Sequence, residues 1–227
     1  MVKNIYVEMS GDQLRVYNEM KNDLIAVVKD RACTAQLAIT KALRLLQITS
    51  GFLTVDGEDG SEREAISLTQ NPKMDALKEI LETISPYHKL IVWAVYSKEY
   101  AGIRKLLSSL SIGFGEITGE VSQKEKNESL LRFTEDESCR VLLSNPSSGG
   151  VGINIVTASY AVFFSRTFSL EHYLQAQARN YRGGSEIHEK ITHINLVAKD
   201  SIDEKVLLAL ASKESISDKI LSFVKDM

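Results

Sequence analysis

Between Ser144 and Gly184 the sequence holds two groups of residues with the chemistry to meet phosphate. The first is a run of small residues, Asn145-Pro146-Ser147-Ser148-Gly149-Gly150, continued by Val151-Gly152-Ile153-Asn154. Glycines let a ligand approach the backbone closely, and successive N–H groups form anion-binding concavities. The second group is Gln175, Arg179 and Arg182, spaced i, i+4, i+7. On a helix that spacing puts an amide and two guanidiniums on one stripe. Planar, permanently charged forks aimed the same way suit phosphate oxygens. Leu170, Tyr173, Leu174, Ala178 and Tyr181 fall on the other side and are expected to face inward. Gly183-Gly184 is expected to stop the helix. Pattern alone also fits a solvated polar stripe and, for the loop, a glycine turn that only starts a helix.

These residues need a scaffold, and from residue 89 onward the pattern supplies one. The runs 90–95 (LIVWAV), 140–144 (RVLLS), 161–164 (AVFF) and 191–197 (ITHINLV) are continuous apolar stretches of the kind buried on both faces of a sheet. A shorter strand is predicted at 114–118. Helices are predicted between the strands, one capped by Ser97 and one opened by a capping box of Ser122 and Glu125. Strands separated by helices imply right-handed crossovers and a mainly parallel sheet. In such sheets ligands sit beyond the carboxyl ends of the strands, where the loop after residue 144 falls. Ser201 with Glu204 opens the first of two C-terminal helices running to about 226.

The first part of the chain reads differently. A short strand at 1–9 is followed by a capping box, Ser10 with Gln13, and a helix over about 11–29. A second helix covers about 34–50 and Gly51 ends it. The segments 52–55 and 65–68 pair as a hairpin around the acidic run DGEDGSERE. Asn71-Pro72 then starts a helix that Pro86 closes. The division expected is a helical arm with a small hairpin over 1–70 and an α/β lobe over 71–227.

Composition sets limits. The 227 residues carry a net charge of −3, so any nucleic-acid contact comes from a local site and not from bulk charge. No apolar run is long enough to span a membrane, and the start lacks the apolar core of a signal peptide. Cys33 and Cys139 match no metal or redox spacing, nor do His88, His172, His188 and His193. A reducing, cytoplasmic setting is expected, or a nuclear one in a eukaryote.

Residues 144–184 resemble motifs V and VI of the superfamily 2 helicases, in the form carried by Swi/Snf-type DNA translocases. That family reads roughly AGG-x-G-x-N-L, then a strand, then Q-A-x-x-R-x-x-R-x-G-Q. Here the first motif appears as Ser148-Gly149-Gly150-Val151-Gly152-Ile153-Asn154-Ile155, and the last as Gln175-Ala176-Gln177-Ala178-Arg179-Asn180-Tyr181-Arg182-Gly183-Gly184. The segment Ile117-Thr118-Gly119-Glu120 followed by Lys124 is similar to the family's glycine-bearing strand-contact segment. Gln13, Tyr17, Leu43-Arg44 and Gln47 are similar to elements of the helical arm that enters the second lobe.

The resemblance implies a RecA-like parallel sheet with helices on both faces, the C-terminal lobe of a two-lobe motor that moves on double-stranded DNA. It implies that Gly119 and Ser147, Ser148, Gly149 and Gly150 touch the DNA backbone. It places Gly152 and Asn154 near the nucleotide. It makes Arg182 the arginine finger, Arg179 its partner, and Gln175 a residue that orients the nucleotide or couples the lobes. ATP and Mg2+ would be held mainly by a first, N-terminal lobe, because the sequence has no G-x-x-x-x-G-K-[ST] loop and Asp136-Glu137 precedes its strand instead of ending one. Two departures, Phe168-Ser169-Leu170 for the family's W-N-P and Ser185 for its final Gln, point to a compact prokaryotic or phage-type relative. The alternatives are an RNA or single-strand helicase lobe and a non-catalytic protein-interaction module of the same fold.

Overall fold

A computed structural model describes residues 1–29, 35–55, 64–148 and 155–212. The chain divides into two compact units, one of Met1–Ile5 with Met74–Leu196, the other of Tyr6–Lys73 with Val197–Met227.

The first unit is built on β4 (Leu90–Trp93), β5 (Gly113–Ile117), β6 (Cys139–Ser144), β7 (Tyr160–Phe163) and β8 (Thr192–Ala198). With β1 (Val2–Val7) they form a six-stranded sheet in the order β1-β8-β7-β4-β6-β5. The pairs β4–β6, β4–β7, β5–β6 and β7–β8 are all parallel. Met1 O accepts the His193 N–H and Val7 O the Lys199 N–H, so β1 runs the same way beside β8.

Side chains alternate across this sheet, as the two-residue strand period requires. Leu90, Val92 and Ala94 join Val141, Leu143, Val162 and Leu196 on one face, under α3 (Pro72–Ile84) and α4 (Ser97–Ser109). Ile91 and Trp93 join Leu142, Ala161 and Phe163 on the other, under α5 (Gln123–Glu135) and α6 (Leu170–Ala178). Helices on both faces of a parallel sheet are the RecA-like arrangement expected. The continuous apolar runs are continuous because both faces are covered.

The helix starts follow local chemistry. Ser122 and Glu125 cap each other's backbone N–H groups at 2.7 and 3.3 Å, opening α5. At α4 the N-cap is Tyr96 and Ser97 lies inside the helix. The buried Glu99 carboxylate reaches back instead, accepting the Val95 and Tyr96 N–H groups at 2.9 and 3.0 Å.

The second unit contains α1 (Gly11–Lys29), α2 (Ala35–Thr49), the hairpin β2 (Phe52–Val55) with β3 (Glu64–Ser67), and α7 (Ile202–Ser212). The Ser10–Gln13 capping box forms, and Gln13 also donates to Ile48 O at 2.7 Å. Tyr17 and Leu24 are buried with Leu45 and Ile48. The Tyr17 hydroxyl accepts the Ile202 N–H at 2.8 Å. Lys73 and Asp203, 1% and 5% exposed, form an ion pair at 2.5 Å. Asp203 also accepts from Thr49 Oγ1 and the Ala198 N–H, both at 2.9 Å. The acidic loop of the hairpin and the second expected C-terminal helix lie outside the described residues.

Candidate functional site

At the carboxyl end of β6, Asn145 organises the start of the small-residue loop. Its N–H donates to Ile117 O, and its Nδ2 donates to Val95 O and Tyr100 Oη at 3.1 and 2.6 Å. Its Oδ1 accepts both the N–H and the hydroxyl of Ser147, at 2.8 and 2.7 Å, while Ser148 N–H goes to Asn145 O. Side-chain bonds to the backbone of this kind are what favour Asn at turns. The loop entrance is therefore fixed, and the Ser147 and Ser148 N–H groups already have acceptors. Gly149, Gly150, Gly152 and Asn154 lie outside the described residues.

The next strand end presents Gly119. A side chain there would meet nothing within 4 Å. Its neighbours are tightly held. Arg104 grips both oxygens of Glu116 at 2.8 and 2.6 Å and Glu120 at 2.6 Å, and Thr118 Oγ1 donates to Glu116 at 2.5 Å. Burial alone would raise the Glu116 carboxyl, but the bonds from Arg104 and Thr118 outweigh it and hold it below the usual range.

The helix that carries the arginines is shorter than the i, i+4, i+7 spacing predicts. Ser169 caps α6, accepting the His172 N–H at 3.2 Å, and the helix ends at Ala178. Gln175 is on it, exposed and bonded to Glu171 at 2.9 Å. Arg179 is the C-cap, and Arg182 lies in the turn that follows. The reason is Asn180, which is 0% exposed. Its Nδ2 donates to Ala158 O at 3.3 Å and its Oδ1 meets His193 Nε2 at 3.0 Å. Burying that amide pulls the chain inward and breaks the helical path. The inward face is accordingly Tyr173, Ala176 and Asn180, whereas Leu174 and Tyr181 are exposed, Tyr181 at 71%.

Gly184, at φ +100°, then reverses the chain in a left-handed conformation that suits glycine. Its N–H donates to Glu186 at 2.6 Å, and Ser185 N–H to Arg182 O at 2.9 Å.

Partial burial, and then the charge of Arg182, depress the Arg179 guanidinium below its ordinary value. The Arg179 carbonyl accepts the Ile155 N–H at 3.0 Å, and His188 Nε2 meets Val156 O at 2.8 Å. The turn is thus bonded to the residues that follow the glycine loop.

The site residues do not form one cluster. Ser147, Ser148 and Gly119 lie beyond the carboxyl ends of β6 and β5. The α6 helix starts after β7 and runs back along the sheet for about 13 Å at 1.5 Å per residue. Arg179 and Arg182 therefore sit by the amino ends of β7 and β8, where Ala158 and His193 are. Asn180, His193 and Ile155 were not legible as site residues. Their pairing is a tertiary contact, and an Asn between two arginines reads as surface. Among the described residues, no group of three or more His, Cys, Asp or Glu could hold a metal ion. No described helix is long and apolar enough to cross a membrane.

Residues 72–184 match the family described as "Helicase conserved C-terminal domain". The chain is 30% identical over 139 residues, 60% of its length, to "ATP-dependent helicase FUN30" of Saccharomyces cerevisiae, of which it covers 12%. "Crystal structure of the C-terminal part of Fun30 ATPase domain" superposes with a TM-score of 0.74 at 17% identity, covering 99% of this chain and 96% of that one. "Sulfolobus solfataricus SWI2/SNF2 ATPase core in complex with dsDNA" superposes at 0.74 and 22% identity, covering 99% of this chain and 47% of that one. Residues 72–184 carry a helicase C-terminal domain related in sequence to that of FUN30, and the chain has the fold of the C-terminal domains of the Fun30 and Sulfolobus SWI2/SNF2 ATPases. It spans between 12% and 30% of the length of the curated relatives it matches.

Proposed function

We propose that this chain is the C-terminal half of an ATP-dependent double-stranded DNA translocase, and that it supplies the arginine finger and part of the DNA-backbone track. The observation that carries the reading is that Arg179, the C-cap of α6, and the exposed Arg182 fall in one turn. Two cations held together in this way favour an anion between or beyond them. Arg182, exposed and at the outer side of the turn, is the finger. Arg179, half-buried and hydrogen-bonded through its carbonyl, is its partner. Gln175 orients the nucleotide or couples the lobes, with Gly152 and Asn154 close to it.

ATP with Mg2+, held mainly by the first lobe, would supply the phosphoryl group. Within this chain Arg182 stabilises charge developing on that group, an effect worth on the order of 10³–10⁵ in rate in well-measured systems. In this reading Gly119 and the Ser147–Gly150 stretch follow the DNA backbone, and double-stranded DNA as the track is supported by the dsDNA complex of the Sulfolobus protein that shares this fold. The bare surface around Gly119 leaves room for a phosphate strand. The working place is a reducing compartment, the cytoplasm of a bacterium or infected host, or the nucleus in a eukaryote.

The test is ATP hydrolysis with and without duplex DNA, by this chain alone and joined to its first lobe, with Arg182→Ala beside it. The reading expects silence from the lone chain and DNA-stimulated turnover in the joined form that Arg182→Ala removes. Turnover by the lone chain, or indifference to Arg182, would sink it and favour a scaffold of the same fold.

A further inference from the structure

The Asn180–His193 pair has no part in the function just described, yet Asn180 directly follows Arg179 in the chain and is buried. Asn180 sits between Arg179 and Arg182 in sequence and is 0% exposed. Its amide nitrogen is given to Ala158 O at 3.3 Å, so its Oδ1 faces His193 Nε2 at 3.0 Å. An amide oxygen only accepts, so Nε2 carries the hydrogen. His193 is itself held. It is 8% exposed, its N–H donates to Met1 O at 2.8 Å, and Phe163 meets its ring edge-on at 6.1 Å.

Two segments therefore converge on residues 179 and 180: the stretch before β7, through the Ile155 N–H and Ala158 O, and the start of β8, through His193. These bonds hold the backbone of the turn against the sheet, with Arg182 exposed and Arg179 half-buried. A side chain needed only to fill the core would be apolar here, since a buried amide and imidazole are tolerated only when each satisfies the other.

We propose that Asn180, fixed by His193, is the positioning residue for the Arg179–Arg182 pair, so that their buried hydrogen bond governs turnover and not stability alone. The inference rests on the arginine-finger reading above. A charge-stabilising group displaced by about 1 Å loses on the order of 10²-fold in rate, so a relaxed turn lowers kcat while leaving nucleotide binding, which the first lobe provides.

The experiment uses the two-lobe protein with saturating duplex DNA. Asn180→Ala and His193→Val are each expected to lower kcat between about tenfold and 10²-fold, with the KM for ATP little changed. The double variant is expected to be no worse than Asn180→Ala, which already gives up both the His193 bond and the bond to Ala158 O. His193→Gln, whose amide can still donate to Asn180, is expected to recover most of kcat, and it remains informative where Asn180→Ala folds poorly. Ile103→Val, a core change on the buried face of α4, is the control for stability alone. Should Asn180→Ala and His193→Val lower the melting temperature while kcat stays at the parent value, or should His193→Gln be as slow as His193→Val, the positioning role is wrong. Arg182→Ala separates the two ideas. If it stops turnover while Asn180→Ala does not slow it, only the positioning role fails. If Arg182→Ala is without effect, both fall together.

Discussion

The Arg179 carbonyl accepts the Ile155 N–H at 3.0 Å, which ties the arginine turn to the first described residue after the glycine loop. One segment is expected to meet the DNA strand and the other the nucleotide. A shift of either by an ångström changes the length of a bond they share. Burial of Ile155 at 2% exposure keeps that bond out of water.

Substitution at Gly184 tests how much the turn depends on its backbone. The φ of +100° is left-handed, and the nearest contact for an added Cβ is 3.7 Å away, so Gly184→Ala meets strain and no clash. The expected loss is about 1–3 kcal/mol in urea unfolding. Gly183→Ala, with open space around it and no such φ, is expected to stay near zero. Equal effects at the two positions would contradict this account of the turn.

Gly119 offers the opposite case. Nothing lies within 4 Å of an added Cβ and the φ is not left-handed, so Gly119→Val is expected to change stability by less than about 0.5 kcal/mol. If the position meets a DNA phosphate, the two-lobe protein loses roughly tenfold in duplex affinity, the size of one charge-assisted contact. A fluorescence anisotropy titration at fixed salt measures it, and unchanged affinity removes Gly119 from the track.

His193 gives a pH signature. Burial, and next the α-amino charge of Met1, push its pKa down from 6.5 to about 4. Above pH 6.5 both folded and unfolded forms hold it neutral and its contribution to stability is complete. As pH falls from 6.5 to 4 the unfolded chain binds a proton that the folded chain refuses, and stability drops by up to about 3 kcal/mol. His193→Gln is expected to flatten this part of the profile, read as urea midpoints at pH 7 and 4.5. The lowered carboxylates Glu116 and Asp12 lose their own contribution mainly below this window.

The Lys73–Asp203 pair predicts an asymmetry. Lys73→Met leaves a buried carboxylate with its counter-charge gone and is expected to lose about 3–5 kcal/mol in urea unfolding. Adding Asp203→Leu is expected to recover only part, because Asp203 also accepts from Thr49 and the Ala198 N–H. Full recovery by the double variant would mean those two bonds contribute little.

Much of the fold was legible because its signals are local. The doubly buried strands, the Ser122–Glu125 box and Pro72 at the first position of α3 depend on residues within a few positions of one another. The length of α6 was not legible, because Asn180 ends it through Ala158 and His193, which no short window contains. The capping of α4 by Glu99 was missed for a related reason. Ser97 matched the usual cap residue, while the carboxylate three positions from the Tyr96 N-cap took the N–H groups. At the candidate site the residue types were readable from spacing, but their separation to opposite ends of the sheet required the direction of α6.

The arm formed by α1 and α2 is closed by residues made almost a whole chain later. Tyr17 meets Ile202 across 185 residues and Thr49 meets Asp203 across 154. At a synthesis rate of about 5–20 residues per second, Tyr17 leaves the ribosome on the order of 10–40 s before its partner. During that interval the Tyr17 hydroxyl and the Thr49 hydroxyl lack their final partners, so the arm reaches its finished form only after the last strand has been made.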